Sequence, residues 1–158
     1  MGPLYFIPFQ AVEVSAAQDL FEVLSVASRH LCLHEAKVTQ SSEAGDTEAE
    51  MLRFVLKRGS GSYTSGSGGT SPTEVPLNSD SPAFGGTSEA NNTGEAVAGA
   101  GSLTVLWEMD EHVANGLHYL PAPEHRPIFK DDEAIILNLA AAPSDAITMS
   151  GYLLVEEI

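Results

Sequence analysis

Basic residues are scarce in this chain, and the few present are unevenly spread. Seven Lys and Arg stand against 22 Asp and Glu, for a formal net charge of -15. Between Gly59 and His125 there is no Lys or Arg at all. Neutralising phosphates takes cations, so nucleic acid is not expected as a partner. An anionic membrane surface is disfavoured by the same sign of charge. Cysteine is nearly absent: Cys32 stands alone, so no disulfide framework can form within the chain. No apolar run approaches the roughly 18 residues of a membrane span. The opening "MGPLYFIPFQAVEVSAAQ" has no basic residue, and Pro3 and Pro8 interrupt its apolar stretch, so a secretory leader is not expected there.

Catalytic signatures are missing as well. A phosphate-binding loop needs Lys-Ser/Thr after its glycines, but Lys57 and Arg58 precede the glycines of "RGSGSYTSGSGGTSP" and nothing basic follows. Neither G-x-G-x-x-G nor G-x-S-x-G occurs, and serines concentrate in Gly-rich stretches. We therefore expect no enzyme, no catalytic residue, no cofactor and no metal.

What the chain has is a period of two. "EAEMLRFVLKR" puts Leu52, Phe54 and Leu56 on one face of a strand, with Arg53 and Lys57 on the other. "SLTVLWEM" groups Leu103, Val105, Trp107 and Met109; "AIILNLAA" groups Ile135, Leu137 and Leu139; "AITMSGYLLVEE" groups Ile147, Met149, Leu153 and Val155. "LCLHEAKVTQ" alternates less cleanly, with Cys32, His34, Ala36 and Val38 opposite Glu35, Lys37 and Thr39. Ser15 and Gln18 resemble a capping box, but the β-rich surroundings favour a strand over Leu20 to Val26. Turn chemistry separates the runs at Glu43-Ala44-Gly45-Asp46, Asn115-Gly116, Lys130-Asp131-Asp132 and Pro143-Ser144-Asp145. Short alternating segments with punctuated turns predict an all-β fold: a single-domain antiparallel β-sandwich over 1–158, jelly-roll-like. The aromatic "LYFIPFQ" is apolar on both faces. It suits a central strand or an N-terminal arm, over 1–10, tucked into a partner.

The middle, 59–101, is Gly-rich with scattered apolar residues. Its front reads as a mobile loop, and its Pro-bearing back as an anchored one. Neither flank has enough strands to close a sandwich alone, so 59–101 is expected to be an excursion of one domain. "YLPAPEHRP", stiffened by Pro121, Pro123 and Pro127, reads as an extended connection or as a segment laid across a neighbour.

Some constellations invite chemistry. On a strand His30, Cys32 and His34 share a face, and imidazole and thiolate suit zinc. A fourth ligand is not visible, and the plain expectation is a buried thiol with histidines near strand ends. His112, His118, His125 and Glu124 resemble the donor types of cupin-like metal sites without their spacing, so loop histidines are expected. The pairs Asp110/Glu111, Asp131/Asp132 and Glu156/Glu157 are sequence neighbours that point apart on strands and read as solvated. Trp107 and Tyr119 are candidates for a sugar-stacking platform, although Trp107 shares a predicted face with Leu103 and Val105 and is expected in the core.

The segments "DLFEVL", "AGDTEAEMLRFVLKRGSGS", "TSEANN", "HYLPAPEHRP" and "MSGYLLVEEI" resemble short proteins encoded beside capsid genes in tailed bacteriophages. The resemblance implies a virion component assembled in the host cytoplasm, resembling head decoration or cement proteins. These are β-sandwiches, frequently trimers, that clamp capsomer boundaries. It implies the major capsid protein as partner and a homo-oligomer, with a trimer favoured. It carries over no binding residues. A carbohydrate- or receptor-binding head-fibre or tail module and a small cupin-like metalloprotein using His112, His118 and Glu124 are the competing expectations. Because the two flanks are expected to share one core, chain cleavage between Ser62 and Ser71 should leave the fragments co-eluting on gel filtration; fragments that part without denaturant mean two domains.

Overall fold

The computed structural model describes residues 2–42 and 49–158. Eleven strands run in the described residues: β1 (Leu4–Val14), β2 (Gln18–Leu24), β3 (Leu31–Gln40), β4 (Met51–Ser60), β5 (Val75–Pro76), β6 (Thr87–Asn92), β7 (Ser102–His112), β8 (Leu117–Tyr119), β9 (Ile128–Phe129), β10 (Ala134–Leu139) and β11 (Ile147–Glu157). One 3-10 turn, Pro123–His125, is the sole helical element among them. No helix in these residues is long and apolar enough to cross a membrane.

The strands form two antiparallel sheets. Sheet A has the order β5-β1-β11-β3-β8, with β9 also pairing β3; sheet B has the order β6-β2-β10-β4-β7. The chain pairs with itself in reverse: β1 with β11, β2 with β10, β3 with β8 and β9, β4 with β7. Such a ribbon, folded back and rolled so that successive strands alternate between sheets, is a jelly-roll sandwich. Its interior is built from the expected faces. Leu52, Phe54 and Leu56 meet Ile135, Leu137 and Leu139 from sheet B, and Ile147, Met149, Leu153 and Val155 from sheet A, all at 2% exposure or less.

The N-terminal segment is a strand within sheet A, so the arm expected over 1–10 is not what Leu4–Val14 forms. Tyr5, Ile7 and Phe9 enter the core, and Glu157 N donates to Pro3 O. On the other face Phe6 is half-buried, edge-on against Tyr152 with centroids 5.2 Å apart. Ser15 and Gln18 cap no helix, and β2 begins two residues before the expected Leu20. Gly116, at φ 64, turns the chain between β7 and β8, and Asp132, at φ 60, between β9 and β10, where turn chemistry placed them. The Glu43-Ala44-Gly45-Asp46 turn lies outside the described residues. "YLPAPEHRP" connects β8 to β9 within the same sandwich and holds to it through the bond from Leu33 N to Pro127 O; the 3-10 turn breaks the extended course expected of it.

Residues 61–101 make a strap rather than a free loop. β5 extends the edge of sheet A beside β1, and β6 extends sheet B beside β2. Bridges Thr64 to Val97, Ser67 to Gly94 and Thr70 to Ala90 close the strap on itself. The glycines expected to make it mobile serve close approach. A Cβ at Gly69 would collide with Asn92 Oδ1 and the Ala90 carbonyl, and Gly68 turns the chain at φ 84. Phe84 packs edge-on against Tyr5, with centroids 5.2 Å apart, and Tyr5 Oη donates to Pro82 O at 2.9 Å.

Leu137 sits on β10, at the middle of sheet B, with no exposure. Leu137→Ala should lower the unfolding free energy in urea by about 3 kcal/mol with the slope unchanged; a loss below about 1 kcal/mol would mean the two sheets do not share this interior.

Candidate functional site

Strand β3 was expected to place Cys32 and His34 with Ala36 and Val38. A bulge reverses this. Leu33 pairs with Val155 and Glu35 with Leu154, so His34 is an extra residue in the ladder. Leu31, Leu33, Ala36 and Val38 therefore face the core, while Cys32 lies opposite Glu156 on the outer side of sheet A. The bulged His34 brings Nε2 to 2.7 Å from Glu156 Oε2. Cys32, His34 and Glu156 offer one ligand atom each, and the three atoms lie within 4.8 Å of one another. All three residues are buried at 7–8% exposure. The Gly2 backbone N–H donates to the other Glu156 oxygen at 2.5 Å. Burial first, then the neighbouring Glu156 charge, pushes the Cys32 thiol up, against the pull of the Arg126 guanidinium. Cys32 is therefore poorly set up as a nucleophile.

His30 does not join this group. It is exposed ahead of β3, its backbone pairs with Ile158, and its Nδ1 accepts from Asp131 N at 3.2 Å. The cupin-like set is not assembled either. His118 Nε2 meets Glu35 Oε1 at 2.9 Å on the outside of sheet A, and His112 Nδ1 accepts from Ala114 N in the turn after β7. Glu124 and His125 sit exposed on the 3-10 turn. Among the described residues no metal-ligating group forms from these side chains.

Glu156 and Glu157 point apart as expected but are buried rather than solvated. Glu157 accepts from Gly85 N at 2.7 Å and from Arg29 Nη1 at 2.5 Å. Its carboxylate ties the strap to the end of β11.

A second polar cluster lies on the outer face of sheet B. Ile136 on β10 is flanked in register by Glu22 and Lys57, and Asn138 by Asp19 on the bulged side of β2 and by Val55. The strap covers this face. Glu22 accepts from Tyr63 Oη at 2.8 Å, Ser65 Oγ at 2.7 Å, Gly66 N at 2.9 Å and Asn92 Nδ2 at 3.2 Å. Asp19 accepts from Ala96 N at 2.6 Å and Asn138 Nδ2 at 2.9 Å. Burial outweighs these bonds and pushes Asp19 up to about 6. Burial, together with the bond to Glu22, also holds the Tyr63 hydroxyl well above the ordinary phenol range.

The long edge of sheet B is β7, 11 residues paired on one side by β4. A bulge at Leu106 divides the face expected to hold Leu103, Val105, Trp107 and Met109. Trp107 and Met109 pack against the main core, Leu103 against the smaller cluster under the strap, and Val105 is 49% exposed. Trp107 and Tyr119 do meet, with centroids 4.8 Å apart, but both rings pack on the core cluster and Trp107 Nε1 is buried, which leaves no open stacking platform.

No protein-family model, curated protein or solved structure matches the chain.

Asp19 is protonated at a higher pH folded than unfolded, so its contribution to stability is full below about pH 4 and is lost as pH rises through about 6. Between about pH 4 and about pH 7, wild-type unfolding free energy should fall by about 2 kcal/mol more than that of Asp19→Asn in matched denaturant titrations. Parallel pH profiles would mean that Asp19 titrates normally.

Proposed function

We propose that the protein is a non-enzymatic structural protein of a bacteriophage virion. It acts as a head decoration or cement protein that docks on the major capsid protein and stabilises capsomer contacts, as a homo-oligomer with a trimer favoured. The observation that carries a docking role is the edge of β7, along which no strand of the described residues pairs on the side away from β4. Unpaired N–H and C=O groups along a sheet edge are a template for another strand, and proteins ordinarily blunt them. The other edges are treated that way here. β5, β8 and β9 have two or three residues each, the edge strand β6 is bridged by Thr70 at Ala90, and the exposed run of β1 carries Pro8 and the bulge at Ala11. The first half of β7, Ser102 to Leu106, carries no charge and presents Thr104 and Val105 to solvent.

Three further features support the reading. A closed sandwich gives a stiff body for a particle surface. The buried carboxylates Asp19, Glu22 and Glu157 are committed to holding the strap. The sequence segments quoted above resemble those of phage proteins encoded beside capsid genes.

Purified protein should co-sediment with empty capsids of its phage at micromolar concentration. Val105→Lys, which places a charge on the edge without touching the core, should keep a cooperative melt and lose co-sedimentation. Binding that survives the substitution would discard β7 as the docking edge, and absence of any co-sedimentation of the wild type would discard the capsid role.

A further inference from the structure

We propose that Cys32, His34 and Glu156 form a binding site for a thiophilic divalent cation, zinc being the natural occupant, on the outer face of sheet A. The docking reading of the protein plays no part in this. Three observations carry it. The first is the donor set: a thiol, an imidazole and a carboxylate converge with ligand atoms no more than 4.8 Å apart. Zinc takes sulfur at about 2.3 Å and nitrogen or oxygen at about 2.0–2.2 Å, which places ligand atoms of a tetrahedron about 3.3–3.7 Å apart. The His34–Glu156 contact at 2.7 Å has to open slightly and the sulfur has to close in. These are side-chain adjustments on a fixed ladder.

The second is how the ligands are held. Cys32 and Glu156 are direct partners across β3 and β11, and the His34 bulge adds a third donor to the same side. A regular strand would have put His34 outward but one position further along the ladder; the extra residue crowds it toward Glu156. The Gly2 N–H bond on one Glu156 oxygen leaves the other turned toward His34, an outer contact of the kind that orients metal-bound carboxylates.

The third is charge. The Glu156 carboxylate and the thiolate that metal binding creates are two anionic donors in a buried place. A divalent cation neutralises both. Thiolate and imidazole select against calcium and magnesium, which prefer an all-oxygen shell. On binding, the Cys32 S–H bond breaks, its proton leaves to solvent, and the S–metal bond forms. The His34 Nε2 lone pair is directed at the metal as the ring proton moves to Nδ1. A water completes the fourth position.

Bound there, the ion would join β3 to β11 and, through Glu156, to the N-terminal residues, next to the Pro-rich connection whose Pro127 carbonyl accepts from Leu33 N.

The test is titration of the full chain, freed of metal by chelator, with cobalt(II) and then zinc. The expected result is one cobalt per chain with a near-ultraviolet thiolate-to-metal band, release of one proton, displacement by zinc, and a melting temperature that rises with metal. Cys32→Ser should abolish the band, and Glu156→Gln, which removes a direct ligand, should weaken binding by at least about 10-fold while both variants keep the wild-type far-ultraviolet spectrum. His118→Ala, outside the group, should bind normally. No uptake at micromolar free metal would overturn the proposal. So would a cobalt spectrum unchanged by Cys32→Ser, which would place the ion elsewhere. If Glu156→Gln misfolds, retention of the band in His34→Gln, with its fold intact, would overturn it equally.

Discussion

A strand with apolar side chains on both faces must be covered on both faces, and β10 imposes this on the whole molecule. Ile135, Leu137 and Leu139 fill the space between the sheets, while Ala134 and Ile136 face away from it, and all are without exposure. An ordinary sandwich would leave that second face to water. Here Tyr63 and Ala96 from the strap lie over it together with Leu103. Burying a side chain the size of Ile136 contributes about 2 kcal/mol. Ordering each residue of the strap costs about 1 kcal/mol in backbone entropy alone. Apolar cover therefore cannot hold the strap by itself, and its polar attachments decide the matter.

Those attachments follow from the strap's lack of a ladder. Gly66 and Ala96 have backbone N–H groups with no strand alongside, and a buried N–H must find an acceptor. Glu22 and Asp19 supply it from β2. Asn92 stands between Glu22 and Glu89, which are opposite each other in register, and donates to both at 3.2 Å and 2.9 Å. The arrangement is asymmetric. Glu22 collects four donors, whereas Asp19 collects two and titrates near 6 because two bonds do not offset its burial.

The elements legible in the sequence are those where one rule acts alone. Leu52, Phe54 and Leu56 alternate because β4 has one face inward, and so do Ile147, Met149, Leu153 and Val155 on β11. Errors cluster where one residue is inserted into a ladder. Bulges at Ala11, His34 and Leu106 each shift the following side chains to the opposite face, so by alternation Cys32 groups with Ala36 and Val38, and Val105 with Trp107, where the structure separates them. The front of the strap was misjudged because glycine marks both freedom and crowding, and composition does not separate the two, whereas its Pro-bearing back is anchored as expected, through Phe84 and Pro82 on Tyr5. Of the candidate cluster, "HLCLH" showed Cys32 and His34, but Glu156 lies 122 residues from His34 in sequence. Only the β3–β11 register brings it close, and local spacing carries no trace of that. His30, two residues before Cys32, looked equivalent by alternation and is excluded because β3 begins after it.

The bulge in β7 also divides the charge along the open edge. Before it, Ser102 to Leu106 is neutral; after it come Glu108, Asp110 and Glu111, with Asp110 partly balanced by Arg53 at 2.9 Å. A chain carrying a net charge of -15 repels its own copies at long range. Two identical β7 edges that met in parallel would set acidic halves against each other. An antiparallel meeting sets each acidic half against a neutral one, and a basic partner strand is drawn to the acidic half and met by hydrogen-bonding groups along the neutral one. In the proposed docking role, contact and steering would occupy the two halves of one strand. Charge would then decide between partners: at low salt the acidic half would favour a basic surface over a second copy, and added salt, by screening the repulsion between copies, would narrow that preference.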